Sequence, residues 1–522
     1  MSLTTIMHFR SKHRSRTLDL VPDPFWEDPM TSADQRLSAR GPIGAPTGPA
    51  IDVPEDPELT RALAEPDARL AATERAGPAA PPASHGRPPV RRATDDADSA
   101  GRVSVADRVG ADLSAEIAGA HEKRVTVALF AAGLTTFAAM YSTQSLLPSL
   151  SAAFGVPPAH AALAVSLTTG FLALAIIPVG VLSARIGRTR VLIGSAMAAA
   201  ALGLLLPLCP TMDTLLAVRA VQGVALAGVP AVAMAYLAEE VGASGLGSAM
   251  GVYIAGTSIG GLAGRLIPSL TLGLTSWRWA ELTVSLAVAA GAVWFARTLP
   301  ASRGFAARPA GVGTLLGDLA RQARAPRPAA LFALAFLLMG SFVSIYNYLG
   351  YRLTHRPFGL SEAVVGLVFV LYLAGTAASA YAGRLADRRG HHRILVVSLA
   401  LMAVGLAVTI PDHLSTVLIG ILLLTTGFFG AHTAASAWVG ALAENRGGAS
   451  SLYMFAYYLG SAVVGSAAGI AYAAGGWIGL VACVAVLFAV AAVLTATLSP
   501  RSPARAGTPE PRPSGQRVGV QQ

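Results

Sequence analysis

Charged side chains make up only 13% of this 522-residue chain, against about 25% in ordinary soluble domains. With 53% apolar residues and a mean hydropathy of +0.55, that shortage excludes a water-soluble globular protein and points to a membrane chain. Cysteine is scarcer still: Cys209 and Cys483 are the two, far apart and both in or beside apolar runs. Neither a disulfide framework nor a redox pair is expected from them. No GxxxxGK[ST] loop, no cluster of metal-ligand spacing and no Ser/His/Asp set with supporting context occurs. ATP-driven pumping, a bound cofactor or metal, and catalysis are therefore not expected, and an ion gradient is the expected energy source.

The few charges are unevenly placed. Residues 1–120 hold 14 Lys+Arg and 18 Asp+Glu, a net of −4, while residues 121–522 hold 25 and 11, a net of +14. The basic excess thus belongs to the apolar part, where it orients helices in a bilayer rather than binding nucleic acid. Residues 1–120 also hold 14 prolines and stretches such as GPAAPPASHGRPPVRR, 77–92. They bury too little apolar surface to offset the entropy of ordering, so a disordered cytoplasmic tail is expected over 1–120, and another over 499–522. The first twenty residues lack the apolar core and small-residue cleavage site of a secretory signal. A start assigned too far upstream would leave the same tail.

Long neutral runs dominate what is present. Sixty neutral residues separate Arg124 from Arg185, room for two spans of roughly 20 residues each, with PSLSAAFGVPP (148–158) as the turn between them. At the other end, 447–500 is 54 uncharged residues with Gly475-Gly476 in the middle. Runs bounded by charges or Pro/Gly clusters predict twelve spans: 125–147, 161–183, 191–207, 214–237, 247–270 and 279–298, then 329–350, 363–383, 394–410, 414–436, 449–472 and 477–498. The expected fold is an all-α membrane protein of twelve transmembrane helices in two pseudo-symmetric six-helix halves, 121–298 and 329–498. The basic stretch 299–328 reads as a cytoplasmic linker. Its GTLLGDLARQAR (313–324) fits either an amphipathic surface helix with Leu315, Leu316 and Leu319 inward, or an unstructured basic loop. Connections on the amino-terminal side carry fourteen arginines and the opposite ones three, Arg278, Arg352 and Arg356. That asymmetry predicts both termini in the cytoplasm.

A shift of roughly 203 residues superposes landmarks: Gly180 on Gly383, Tyr141 near Tyr346, and LAE at 237–239 near LAE at 442–444. GVLSARIGRTR (180–190) and GRLADRRGHHR (383–393) then occupy corresponding loops. Both resemble the signature G-x-L-x-D-R-x-G-R-[KR]-x of the major facilitator superfamily, with Ala184 in the acidic place of the first copy and Asp387 kept in the second. The resemblance implies gating loops at Gly180, Arg185, Gly187 and Arg188, and at Gly383, Asp387, Arg388 and Gly390. With Ala184 in the acidic place, the amino-terminal latch is expected either to be weak or to use Glu239 or Glu240 instead. LLAVRAVQG (215–223) resembles the L-x-x-x-R-x-x-Q-G segment and places Arg219 and Gln222 in the fourth span. An Arg at a helix centre costs roughly 2.5–3.5 kcal/mol and so calls for a function or partner, unless it lies near the outer interface and snorkels to water. GTSIGGLAG (256–264) resembles the antiporter segment G-P-x-x-G-G, with Thr257 in the proline's place and Gly256, Gly260 and Gly261 as a packing surface. YSTQSLLPSL (141–150), AGVPAVAMAYLAEE (227–240) and SIYNYLGYRL (344–353) are similar to the arabinose-efflux-like and drug:proton antiporter-like branch, and the likeness covers 124–498.

By that resemblance a substrate site is built on the first, fourth, seventh and tenth spans. The candidates are Tyr141, Thr143 and Gln144; Tyr346, Asn347 and Tyr348; and His432, Ser436 and Trp438. The eleventh span adds Tyr453, Tyr457 and Tyr458. Each alone reads as an interface aromatic or an interhelical hydrogen bond rather than as a ligand contact. Tyr141 and Gln144 with Tyr346 and Asn347 stand out because they recur at corresponding places. Glu281, near the outer end of the sixth span, is expected to pair with Arg265 or Arg278. No Asp or Glu lies in the first span, which predicts neutral or anionic substrates over lipophilic cations. Arg219, Gln222 and Glu281 are the coupling candidates. Glu281, His432, Glu239 and Glu240 are the groups able to carry a proton, each with a plain reading as salt bridge, interhelical histidine or helix-end charge.

These readings converge on a monomeric secondary transporter of the bacterial inner membrane. It is expected to export a small organic molecule (drug, sugar or metabolite) by proton antiport, with the lipid bilayer and no nucleic acid as partner. A proton-coupled importer of a sugar or organic acid, and a non-transporting membrane sensor on the same scaffold, are the alternatives.

Overall fold

The computed structural model of the chain describes residues 105–242, 245–303, 312–443 and 445–498. The predicted tail over 1–104, the tail over 499–522, Arg308 and Glu444 lie outside the described residues. Among the described residues every regular element is helical.

The first span is α1 (Val105–Tyr141), a 3₁₀ turn at Gln144–Leu146 and α2 (Leu147–Phe154); then come α3 (Pro158–Ile186), α4 (Arg188–Leu205), α5 (Met212–Leu226) with α6 (Gly228–Glu240), α7 (Leu246–Leu272) and α8 (Trp277–Thr298). After α9 (Val312–Arg324) follow α10 (Pro326–Thr354), α11 (Glu362–Leu367) leading into α12 (Tyr372–Arg389), α13 (His391–Val408), α14 (Leu414–Leu442) and α15 (Arg446–Thr497). Eleven of the resulting stretches are long and apolar enough to cross a membrane. The last, Gly447–Thr497, breaks at Gly475 and Gly476, where φ reaches 58° at Gly476. Its 51 residues are far more than one bilayer needs, so its two arms complete twelve crossings at the glycine pair where the sequence placed the break.

Two boundaries differ from expectation. Helix α1 begins at Val105, inside the stretch read as tail; no proline stands between Pro89 and Pro148, and Ala- and Glu-rich sequence propagates the membrane helix outward. The first turn begins later than Pro148, because Pro148 sits in the first turn of α2, where a missing N–H costs nothing. The chain reverses instead at Gly155, with φ 65°, and Pro157.

Small residues bring the helices together. A Cβ on Gly256, Gly260 or Gly264 of α7 would stand 2.4, 2.2 or 2.4 Å from the carbonyl oxygens of Phe130, Leu134 and Ala138 on α1. The other half repeats this arrangement, where a Cβ on Gly460 of α15 would stand 2.1 Å from the Phe336 carbonyl oxygen of α10. Packing thus rests on backbone approaching backbone, the route open to helices that gain nothing from hiding apolar surface in lipid. Gly261, expected in this surface, turns away toward Arg265. Large apolar residues such as Leu174, Val221, Ile254, Val397 and Ile470 stay outward and exposed, as a lipid-facing surface requires.

Over Val312–Arg324 the chain forms helix α9 rather than an unstructured loop. Leu319 is buried near Gly448 at the start of α15, while Arg321 pairs with Asp318 at 2.8 Å and stays exposed. The side chains of Leu315 and Leu316 lie outside the described residues. The turns between spans fall at two levels: a linker end, with α9 and the turns at 187 and 390, and a distal end, with the turns at 155–157, 273–276 and 355–361.

Candidate functional site

Helix α1 loses its regular form at the centre of the bundle, where Tyr141 ends it and Gln144 opens the 3₁₀ turn. That local unwinding turns the Gln144 amide toward the other half, and its Nε2 donates to Oδ1 of Asn347 at 2.7 Å. The two residues are 203 positions apart, the displacement that superposes the halves. Arg265 of α7 completes the group: its Nε donates to Gln144 Oε1 at 2.6 Å and its Nη1 to the carbonyl of Gly261. Its guanidinium lies 3.9 Å from the ring centre of Tyr141, 4.5 Å from Tyr372 and 5.4 Å from Phe369. Arginine and asparagine are each 1% exposed, yet Asn347 Nδ2 finds no partner among the described residues, nor do the hydroxyls of Thr143 and Ser166.

Aromatic rings continue from this group along the second half. Tyr346 bonds Thr425 at 2.7 Å and packs on Phe342, Phe369 and Tyr372. Phe342 stacks on Phe428 at 3.9 Å, and Phe428 on His432. His432 accepts or donates at Tyr453 Oη, 3.0 Å away, and lies 4.7 Å from the ring of Tyr457. Half-buried Phe429, His432 and Tyr457 make this wall partly accessible.

The first half holds a polar hub around a buried arginine. Arg219 is fully buried and does not snorkel: it donates to the carbonyls of Ala164, Ala139 and Met140 and to Gln222 Oε1, at 2.6–2.9 Å. Gln222 passes the chain on to the Ala199 carbonyl at 3.0 Å. Glu281 lies beside this hub, 1% exposed, and accepts from Ser142 at 2.7 Å. The expected pairing with Arg265 or Arg278 is not formed. Arg265 turns to Gln144, and Arg278 stays at the distal surface against the Cys209 carbonyl and the Trp277 ring, where water spares it the cost of burial. Ser142 and Arg219 both donate to the Ala139 carbonyl, so the hub touches α1 immediately before its break.

Other candidates fall outside the central group. Tyr348 stacks on Tyr472 at 4.9 Å and reaches the Gly465 carbonyl. Ser436 bonds the carbonyl of Thr433 in its own helix, and Trp438 packs against His391 and His392 at the linker end. In the repeated loops, Gly187 and Gly390 have φ of 104° and 87°, which requires glycine. Gly180 has open space around it and Gly383 only an ordinary contact, so close approach is not their role. Arg188 pairs with Glu239 at 3.0 Å, in keeping with use of Glu239 in place of the acid missing at Ala184, whereas Arg185, Asp387 and Arg388 are exposed and join no ion pair among the described residues. Glu240 instead meets His121 at 3.1 Å and accepts from the Ser302 hydroxyl and the Arg303 backbone N–H.

Sequence reasoning had Arg265 only as a partner for Glu281 and missed Tyr372, Phe369 and Ser142. The signal for Arg265 was present: it is the single charged residue between Glu240 and Arg278, the same anomaly that singled out Arg219.

Contacts between the halves show which end is closed. Ser149 donates to Glu362 at 2.6 Å, and Tyr351 meets both Ser151 and the Leu147 carbonyl. A Cβ on Gly366 would stand 2.2 Å from Ser269. Among the described residues, every hydrogen bond between the halves is at Gln144–Asn347 or on its distal side.

The family model of the Major Facilitator Superfamily matches residues 129–355 and again 331–521. The chain is 39% identical over 378 residues to the MFS-type transporter YybF of Bacillus subtilis (strain 168), covering 72% of this chain and 94% of that one. It is 40% identical over 379 residues to the inner membrane transport protein YnfM of Escherichia coli (strain K12), covering 72% and 91%. A solved bacterial homologue of the human lysosomal transporter Spinster shares the fold with a TM-score of 0.61 at 14% identity, over 72% of this chain and 97% of its own. A twelve-crossing helical bundle, a twofold repeat and these matches together place the chain in the Major Facilitator Superfamily, as a multi-pass membrane transporter.

Proposed function

We propose that the protein exports a small organic molecule across the bacterial inner membrane in exchange for protons, as a monomer with both termini in the cytoplasm. Halves 121–298 and 329–498 rock about the central group, and the linker 299–328 joins them. One observation carries this reading: the halves are hydrogen-bonded at and beyond Gln144–Asn347 on the distal side and, among the described residues, nowhere toward the linker end. The arginine excess assigns the linker end to the cytoplasm, so the side without hydrogen bonds between the halves, along half-buried Phe429, His432 and Tyr457, faces the compartment from which an exporter loads, while the central group itself stays buried. Tyr141, Gln144, Tyr346 and Asn347 are the substrate-facing residues of this reading, with His432 and Tyr457 along the approach. Arg219, Gln222 and Glu281 form the proton-coupling hub, and the loops at 187 and 390 the gate.

Cells lacking the protein and cells overproducing it, compared across toxic compounds and accumulated metabolites, test the proposal. Overproducers should exclude at least one compound, and a protonophore should erase the difference. A compound that overproducers instead accumulate, or exclusion indifferent to the protonophore, contradicts it.

A further inference from the structure

Arg219 and Arg265 are both buried cations in the first half, but they are satisfied differently. Arg219 has four acceptors spread over all three nitrogens, with Glu281 beside it. Arg265 donates from Nε to Gln144 and from Nη1 to the Gly261 carbonyl, and the hydroxyls of Tyr141 and Tyr372 lie within its reach, but every one of these acceptors is neutral. Among the described residues no carboxylate lies within ion-pairing distance of it. A buried charge without a counterion is costly, and rings against the guanidinium recover only part of that cost. Tyr141 and Tyr372 stack on it, which leaves the edge formed by Nη1 and Nη2 as the side with hydrogens to give. That edge is the fork that takes a carboxylate through two parallel bonds. Close by, Asn347 Nδ2 and Thr143 Oγ1 are buried and unpartnered, and Asn347 is tied to Arg265 through Gln144.

We infer that Arg265 is the anion-binding residue of the central site and that the cargo is a small monocarboxylate with an apolar or aromatic body. One cation sets one negative charge. Asn347 Nδ2 supplies a further donor, and Tyr141, Phe369 and Tyr372 receive the apolar part. The bound carboxylate takes the place of the missing counterion, and because Phe369 and Tyr372 belong to the second half, it also bears on how the halves meet. This deepens the transport reading and rests on it for the route, while the binding itself is measurable without transport.

The full chain, purified in detergent, is titrated with benzoate, its neutral isostere benzamide, and benzyltrimethylammonium. Benzoate should bind about 10- to 100-fold more tightly than benzamide, the span of a charge-assisted pair, and the cation should not compete. Arg265→Gln should bring benzoate down to the level of benzamide, and Arg265→Lys should weaken benzoate while keeping the acid preferred. On the unmodified protein, benzoate but not benzamide should shield Arg265 from phenylglyoxal, read by peptide mass; this arm stands even where the variants fail to fold. Equal binding of acid and amide, an undiminished acid preference in Arg265→Gln, or no shielding overturns the inference. Shielding and acid preference without benzoate export from cells would keep the site and sink the transport reading; protonophore-sensitive export of neutral compounds without benzoate binding would do the reverse.

Discussion

Gly260→Leu is expected to yield no stably folded protein. A single Cβ at this position would stand 2.2 Å from the Leu134 carbonyl oxygen and 2.7 Å from its Cα, and both are backbone atoms that cannot swing aside. The same α1–α7 seam continues through Gly256 and Gly264, so relief at one level strains the next. Overpacking costs about 1–3 kcal/mol where side chains can adjust; here the helix axes must separate, which also opens the Arg265–Gln144 bond between the same two spans. Size-exclusion profiles and membrane yield after detergent extraction report the result. Gly180→Ala, in open space, is the control expected to leave both unchanged, and a monodisperse Gly260→Leu protein at normal yield contradicts the packing account.

Glu281→Gln should abolish proton-driven transport while leaving binding and downhill exchange nearly intact. Glu281 faces Arg219 and Gln222 from α5, Ser142 from the break after α1 and Ser285 on its own helix, and it is the acidic member of that set. Its Oε1 accepts from Ser142, whereas Oε2 has no partner among the described residues, leaving a place for a proton at the carboxyl. Ser142 lies between Tyr141 and Gln144, at the break in α1. Gain or loss of that proton therefore acts on the residue next to the central group, a path of one hydrogen bond and two peptide units. A positioned proton carrier is worth about 10²–10⁴ in rate, and pH-driven flux should fall by about 100-fold or more. A Gln variant that keeps pH-driven flux removes Glu281 from the coupling role.

How much of this was legible depended on whether a feature is set by the chain or by what crosses between helices. The spans were legible because lipid leaves a coarse signal, neutral runs of fixed length, and the break at Gly475-Gly476 followed from length and glycine together. The Gln144–Asn347 pair was legible because a repeat places equivalent residues face to face across its axis. Glu281 was assigned by proximity in sequence to Arg278, and that failed because Arg278, at the start of α8, keeps its guanidinium at the surface while Glu281 turns into the bundle. Trp438 was read with the tenth-span site, but its distance along α14 carries it toward the linker end. Arg265 was passed over because the fifth span was read for its glycines, although Gly261 serves that arginine through its carbonyl.

The central claim is that the distal contacts must part for the cargo to leave. With Cys209 and Cys483 replaced by alanine, Ser149→Cys and Glu362→Cys place two thiols where the halves now hydrogen-bond at 2.6 Å. A short cleavable bifunctional thiol reagent should join them and stop export, with flux returning once the bridge is cut. Export at the unbridged rate through a fully bridged protein would contradict alternation between the two ends.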